Sequence, residues 1–131
     1  MTPGELRNRT REFASAIIGL VEAMPRSRAA DVVGTQLIRS GTSVAANYRS
    51  ACRARSRREF IAKMGIVEEE ADESVFWLDL ASTRGLGDPE SIAALRNEAD
   101  QFVAIVVKSI RTARRAPRAN PQSAIRNPQC S

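Results

Sequence analysis

No histidine occurs in the chain, and only two cysteines, Cys52 and Cys130. Without histidine there is no imidazole to act as general base, so Ser43 and Ser50, which lie among arginines, have no activating partner. Two cysteines allow a single pair, too few for a disulfide framework or a zinc site. No glycine-rich phosphate loop is present. These gaps predict a protein that is not an enzyme and holds no cofactor or metal. Aromatic residues make up only 5% of the chain, which argues against a stacking platform for nucleic-acid bases. No run approaches the ~20 apolar residues that cross a bilayer. The start, MTPGELRNRTREF, lacks the apolar centre of a signal peptide. The expected setting is soluble, reducing and cytoplasmic, with no membrane partner.

What the chain does have is helical periodicity and positive charge. Its 131 residues are 43% apolar and 27% charged, enough for one domain around one core. Thr2, Pro3 and Glu5 read as a cap, a first-turn proline and a first-turn acid. Leu6, Phe13, Ile17, Leu20 and Met24 then recur at helical steps, predicting a first helix over 3–24. Val33, Leu37, Gly41, Val44, Tyr48 and Ala51 carry a second helix over 29–54, with Gly41 marking either a close approach or a kink. Ser56 and Glu59 form an S-x-x-E capping box ahead of a third stripe through Phe60, Met64, Val67, Ala71, Ser74 and Leu78. Gly85 or Gly87 supplies the positive φ of its exit. Asp88 and Pro89 open a fourth helix to about 114. The fold expected is all-α, an antiparallel up-down four-helix bundle over residues 1–116. Residues 117–131 hold three prolines and no acid, and are expected to form a disordered basic tail.

Two outer faces stand out. Residues 39–63 carry seven cations (Arg39, Arg49, Arg53, Arg55, Arg57, Arg58 and Lys63) against one anion, Glu59, a net charge of +6. Arginine forks suit phosphate, so these seven are the candidate nucleic-acid-binding residues; a merely solvated face is the plainer alternative. The net charge of +5 is equally compatible with an acidic protein as partner. Anionic lipid is less favoured, because the basic helix lacks an exposed aromatic face to insert. The third helix is apolar almost all round, with Ile66, Phe76 and Trp77 beyond its core stripe. In a four-helix bundle that surplus predicts subunit contacts at Ile66, Phe76 and Trp77, or an edge capped within one chain. The same helix carries six acids between Glu68 and Asp79 and no cation. Without histidine these do not match a di-metal bundle site and are expected to pair with arginines, within or between subunits.

Gln36, Arg39, Ser40, Ser43, Ala46 and Asn47, then Ser56, Glu59, Phe60 and Ile61, then Glu73, Trp77 and Leu78 together resemble the four-helix bundle proteins also called 23S rRNA intervening-sequence proteins. The resemblance covers about residues 5–114. Where many members read N-I-x-E-G, this chain reads Asn47, Tyr48, Arg49, Ser50, Ala51; the missing glutamate leaves the face more basic. The resemblance implies a bundle that assembles into a ring-like homo-oligomer, typically a pentamer. Some relatives are encoded in intervening sequences of ribosomal RNA genes. A related group are accessory proteins of diversity-generating retroelements, which contact a reverse transcriptase and nucleic acid through a basic ring surface. The reading is therefore a non-enzymatic oligomer that binds RNA or DNA through a basic face, as an accessory to a nucleic-acid enzyme. The alternative is a scaffold that docks an acidic protein without nucleic acid.

Overall fold

The computed structural model describes residues 1–117. Four α-helices make up the domain: α1 (Pro3–Glu22), α2 (Arg28–Cys52), α3 (Arg57–Thr83) and α4 (Pro89–Arg115). No strand occurs among the described residues. The tail expected from residue 117 onward lies, after Pro117, outside the described residues.

Each helix starts where its sequence supplies a cap. Thr2 and Glu5 close a complete capping box, Glu5 N–H donating to Thr2 Oγ1 at 3.1 Å and Thr2 N–H to Glu5 Oε2 at 3.4 Å. Ser27, Ser56 and Asp88 cap the other three through their side-chain oxygens. The box read at Ser56 and Glu59 forms only in half. Ser56 accepts from Glu59 N–H at 3.0 Å, but the Glu59 carboxylate takes the N–H of Arg55, one residue upstream, at 3.1 Å.

The first two helices end earlier than the periodicity predicts. α1 stops at Glu22 because Pro25 pushes Met24 away from helical backbone. α2 stops at Cys52, since Ser56 must be extended to cap α3 and the link between them is short. At the end of α3, Leu86 N–H bonds to the Ala81 carbonyl and Gly85 N–H to the Ser82 carbonyl. Gly85 sits at φ +62, which a residue with a Cβ rarely adopts; Gly87 has no positive φ.

α2 packs on α1 and α3, α3 packs also on α4, and a thinner contact between α1 and α4 closes the bundle. The core is continuous, with Ile17, Leu37, Val44, Phe60, Leu78 and Phe102 all essentially inaccessible. Phe13 and Phe102 meet edge to face, with centroids 5.3 Å apart. α1 can approach α2 closely because α2 offers glycine at the contact. A Cβ on Gly41 would stand 3.0 Å from the Ile17 side chain, and one on Gly34 only 2.7 Å from Val21 Cγ1. Gly41 therefore marks a close approach, and α2 runs unbroken through it. Between α2 and α3 the buried hydroxyls of Ser40 and Ser74 lie 2.9 Å apart, and Ser74 also bonds the Glu70 carbonyl at 2.9 Å.

A candidate anion-binding groove and its surroundings

The seven cations read from the sequence do not form one patch. Arg39 lies on the side of α2 that meets α3, where its guanidinium donates to Glu70 at 3.0 Å and to Glu73. Glu73 also accepts from Trp77 Nε1 at 3.1 Å. Arg39 is thus compensated by two carboxylates and is about 15 Å along the helix from Arg49 at 1.5 Å per residue. This is the acid–arginine pairing expected of α3, made within one chain.

Arg55 lies in the link between α2 and α3, Arg57 and Arg58 in the first turn of α3, and Lys63 in its second turn. Arg57 donates to the Pro117 carbonyl at the far end of α4. Among the described residues, none of these four forms an ion pair.

Arg49 and Arg53 face a different neighbour. With Thr42, Ala45, Ala46 and Cys52 they form one wall of an open groove of about 610 Å³. The opposite wall is the first turns of α1, contributing Arg7, Asn8 and Arg11. Four arginines therefore line the groove and no carboxylate does. All four are exposed, and among the described residues none of them is in an ion pair. Arg7 and Arg11 escaped the sequence reading. Their signal was an i, i+4 arginine pair on α1 off the apolar stripe; periodicity alone does not say which helix lies opposite. Arg9, between them, turns to the other side. There the Glu98 carboxylate, accepting its side-chain hydrogen bond, raises the guanidinium pKa above its usual value, and the group lies 5.4 Å over the Phe102 ring.

Asn47, between core and groove, is half-buried and donates to the Ser43 carbonyl at 2.9 Å. Its amide finds backbone, as burial requires, but within its own helix. Cys52 packs half-buried against the core edge; Cys130 lies outside the described residues.

On α3, Phe76 is 55% exposed and Ile66 38%, while Trp77 is half-buried against the core and meets Phe76 edge to face at 4.9 Å. Part of the apolar surplus of α3 is thus absorbed within the chain, because α3 packs on both α2 and α4. Ile66 and Phe76 remain open. Among the described residues, no carboxylates gather into a cluster able to hold a metal ion, and no helix is long and apolar enough to cross a membrane.

Comparison with known proteins returns one family and one fold. A protein of unknown function from the S23 ribosomal protein family of Bacteroides thetaiotaomicron, solved by crystallography, superposes with a TM-score of 0.77 at 30% identity. The match covers 85% of this chain and 99% of that one. No curated protein matches the chain. The family model for the 23S rRNA-intervening sequence protein matches residues 5–108, nearly all of the bundle. With four helices in that arrangement and that span matched, the chain belongs to the 23S rRNA-intervening sequence protein family.

Proposed function

We propose that this protein is a non-enzymatic bundle that binds RNA or DNA through phosphates and works as a homo-oligomer beside a nucleic-acid enzyme such as a reverse transcriptase. The observation that carries the reading is the groove between α1 and α2, which gathers four uncompensated arginines and no acid. Arg55, Arg57, Arg58 and Lys63, which follow Arg53 in the chain, add further positive charge. No aromatic side chain lines the groove, which fits contact with backbone rather than bases.

An antiparallel up-down course is supported by residue order at the α1–α2 contact. Gly34 meets Val21, Gly41 meets Ile17, and Arg49 and Arg53 share a groove with Arg7 and Arg11. Rising numbers on α2 face falling numbers on α1. Assembly is supported by the exposed Ile66 and Phe76 on a helix otherwise packed on two sides.

The test is a salt series of binding isotherms on long RNA and DNA. Counterion release gives a log–log slope of about −0.7 to −0.9 per phosphate neutralised. Affinity should fall steeply with salt and depend little on base sequence. A partner from cell extract that survives nuclease treatment, with no binding to long RNA or DNA at low salt, would replace this reading with an acidic-protein scaffold.

A further inference from the structure

The four groove arginines are arranged in two pairs, each four residues apart on one helix. Arg7 and Arg11 stand on α1, Arg49 in the last turn of α2 and Arg53 at its C-cap. Four residues rise about 6 Å along a helix axis. Two cations so spaced match successive phosphates of a nucleic-acid strand, or alternate phosphates of a polyphosphate, whose neighbours share one bridging oxygen, and two such rows face each other across one groove. Like charges at this spacing on a helix repel, and the facing row adds to the repulsion. An anion lying between the rows relieves both. The α2 wall between them is built of small side chains, Thr42, Ala45 and Ala46, so an anion can lie deep without meeting bulk. Asn8 adds a neutral amide donor. The groove is open to solvent and its volume of about 610 Å³ lies within the range of ligand pockets.

We propose that the groove between α1 and α2 is a site for a run of consecutive phosphates, gripped by Arg7 and Arg11 from one side and Arg49 and Arg53 from the other. The run comes either from a nucleic-acid strand or from a free polyphosphate; the chemistry recognised is the same. The strand source rests on the function proposed above, whereas the groove itself does not. Each guanidinium offers a planar fork of donors to phosphate oxygens, so successive phosphates of a strand, or the two outer phosphates of a tripolyphosphate, reach both arginines of each row, where a single phosphate reaches only one position along the rows.

Calorimetric titration of the full-length protein with inorganic tripolyphosphate and with orthophosphate at low salt tests this. Saturable binding of one tripolyphosphate per chain is expected, at least tenfold tighter than orthophosphate. Arg7→Gln with Arg11→Gln should weaken it at least tenfold, while Lys108→Gln with Arg111→Gln, exposed on α4, leaves it nearly unchanged. Because the four arginines are exposed, the variants should keep the parent helix content and melting curve without ligand, which circular dichroism checks. In a Cys130→Ser background, tripolyphosphate should also slow labelling of Cys52, which lines the same groove. Equal affinity for the two phosphates, or indifference to Arg7 and Arg11, would overturn the site. A single-stranded oligonucleotide that displaces tripolyphosphate identifies the strand as the source. Tripolyphosphate binding with no displacement by any strand supports the groove as a polyphosphate site and counts against the nucleic-acid function. Long RNA bound equally well by the Arg7 and Arg11 variant keeps that function and rejects the groove as the site of the strand.

Discussion

Glycine has opposite consequences at two positions in neighbouring helices. Gly19 on α1 has open space where a Cβ would go, whereas Gly34 on α2 has Val21 Cγ1 at 2.7 Å. Gly19→Ala should stabilise the protein by about 1 kcal/mol, the helix-propensity gain alone. Gly34→Ala gains the same propensity but drives a methyl into a β-branched side chain with little rotamer freedom, a strain of about 1–3 kcal/mol. Urea melts should therefore show the first substitution raising the midpoint and the second lowering it. Asn47 makes a gentler case. Its amide bonds one turn back to a carbonyl of the same helix, so it ties no second element down. Alanine removes that bond but is the better helix former. Asn47→Ala should change stability by less than about 1 kcal/mol, and an accompanying loss of RNA binding would make the amide a contact residue.

At the scale of an element, the caps set where helices begin, and one of them titrates. The Ser91 hydroxyl and then its backbone N–H donate to Asp88 at 2.7 and 2.9 Å, and they hold its carboxyl below the usual aspartate value. A depressed folded pKa means the cap favours the ionised form. Its stabilisation is fully present above the unfolded value of about 3.9 and fades as pH falls through the lower folded one. Asp88→Asn keeps a capping oxygen without the charge. The stability difference between parent and variant should shrink as urea melts are repeated from about pH 5 down to pH 3. A difference that stays constant across that window would show that the ionised cap contributes nothing. On α3 the acids divide by position. Glu70 and Glu73 take Arg39, and Asp79 takes Arg96 at 2.6 Å, raising the Arg96 pKa above its usual value through that hydrogen bond. These partly exposed pairs fix which helix faces which more than they stabilise the fold.

For the whole molecule the open question of surface is what covers α3. Ile66 and Phe76 are exposed beside Trp77, whose ring closes the edge of the core. Light scattering on the purified protein should give several times 14.3 kDa. Ile66→Glu with Phe76→Glu should lower that mass while leaving helix content intact, because neither side chain is buried in the chain. A monomer in the parent protein at micromolar concentration would exclude assembly through this face. If assembly holds, it repeats the basic groove around the oligomer. Long polyanions would then bind far more tightly than short ones, but only where they span several copies.

The number of helices, their caps and the core stripe were legible in the sequence because each rests on local chemistry. Leu6, Phe13 and Ile17, or Phe60, Met64 and Val67, repeat at helical spacing, and Thr2, Ser56 and Asp88 precede them or the stripes that follow with oxygens fit to cap; the Ser27 cap of α2 was the one not read. The family motif from Gln36 to Leu78 was legible for the same reason: it is contiguous. The groove was not. Arg7 and Arg49 are 42 positions apart in the chain, and only the packing of α1 on α2, permitted by Gly34 and Gly41, brings them to one groove. Charge counted along the chain merged Arg39 with Arg49 and Arg53. Tertiary structure separated them, because a helix turns each side chain toward a different neighbour: Arg39 meets the carboxylates of α3, and the other two meet the arginines of α1.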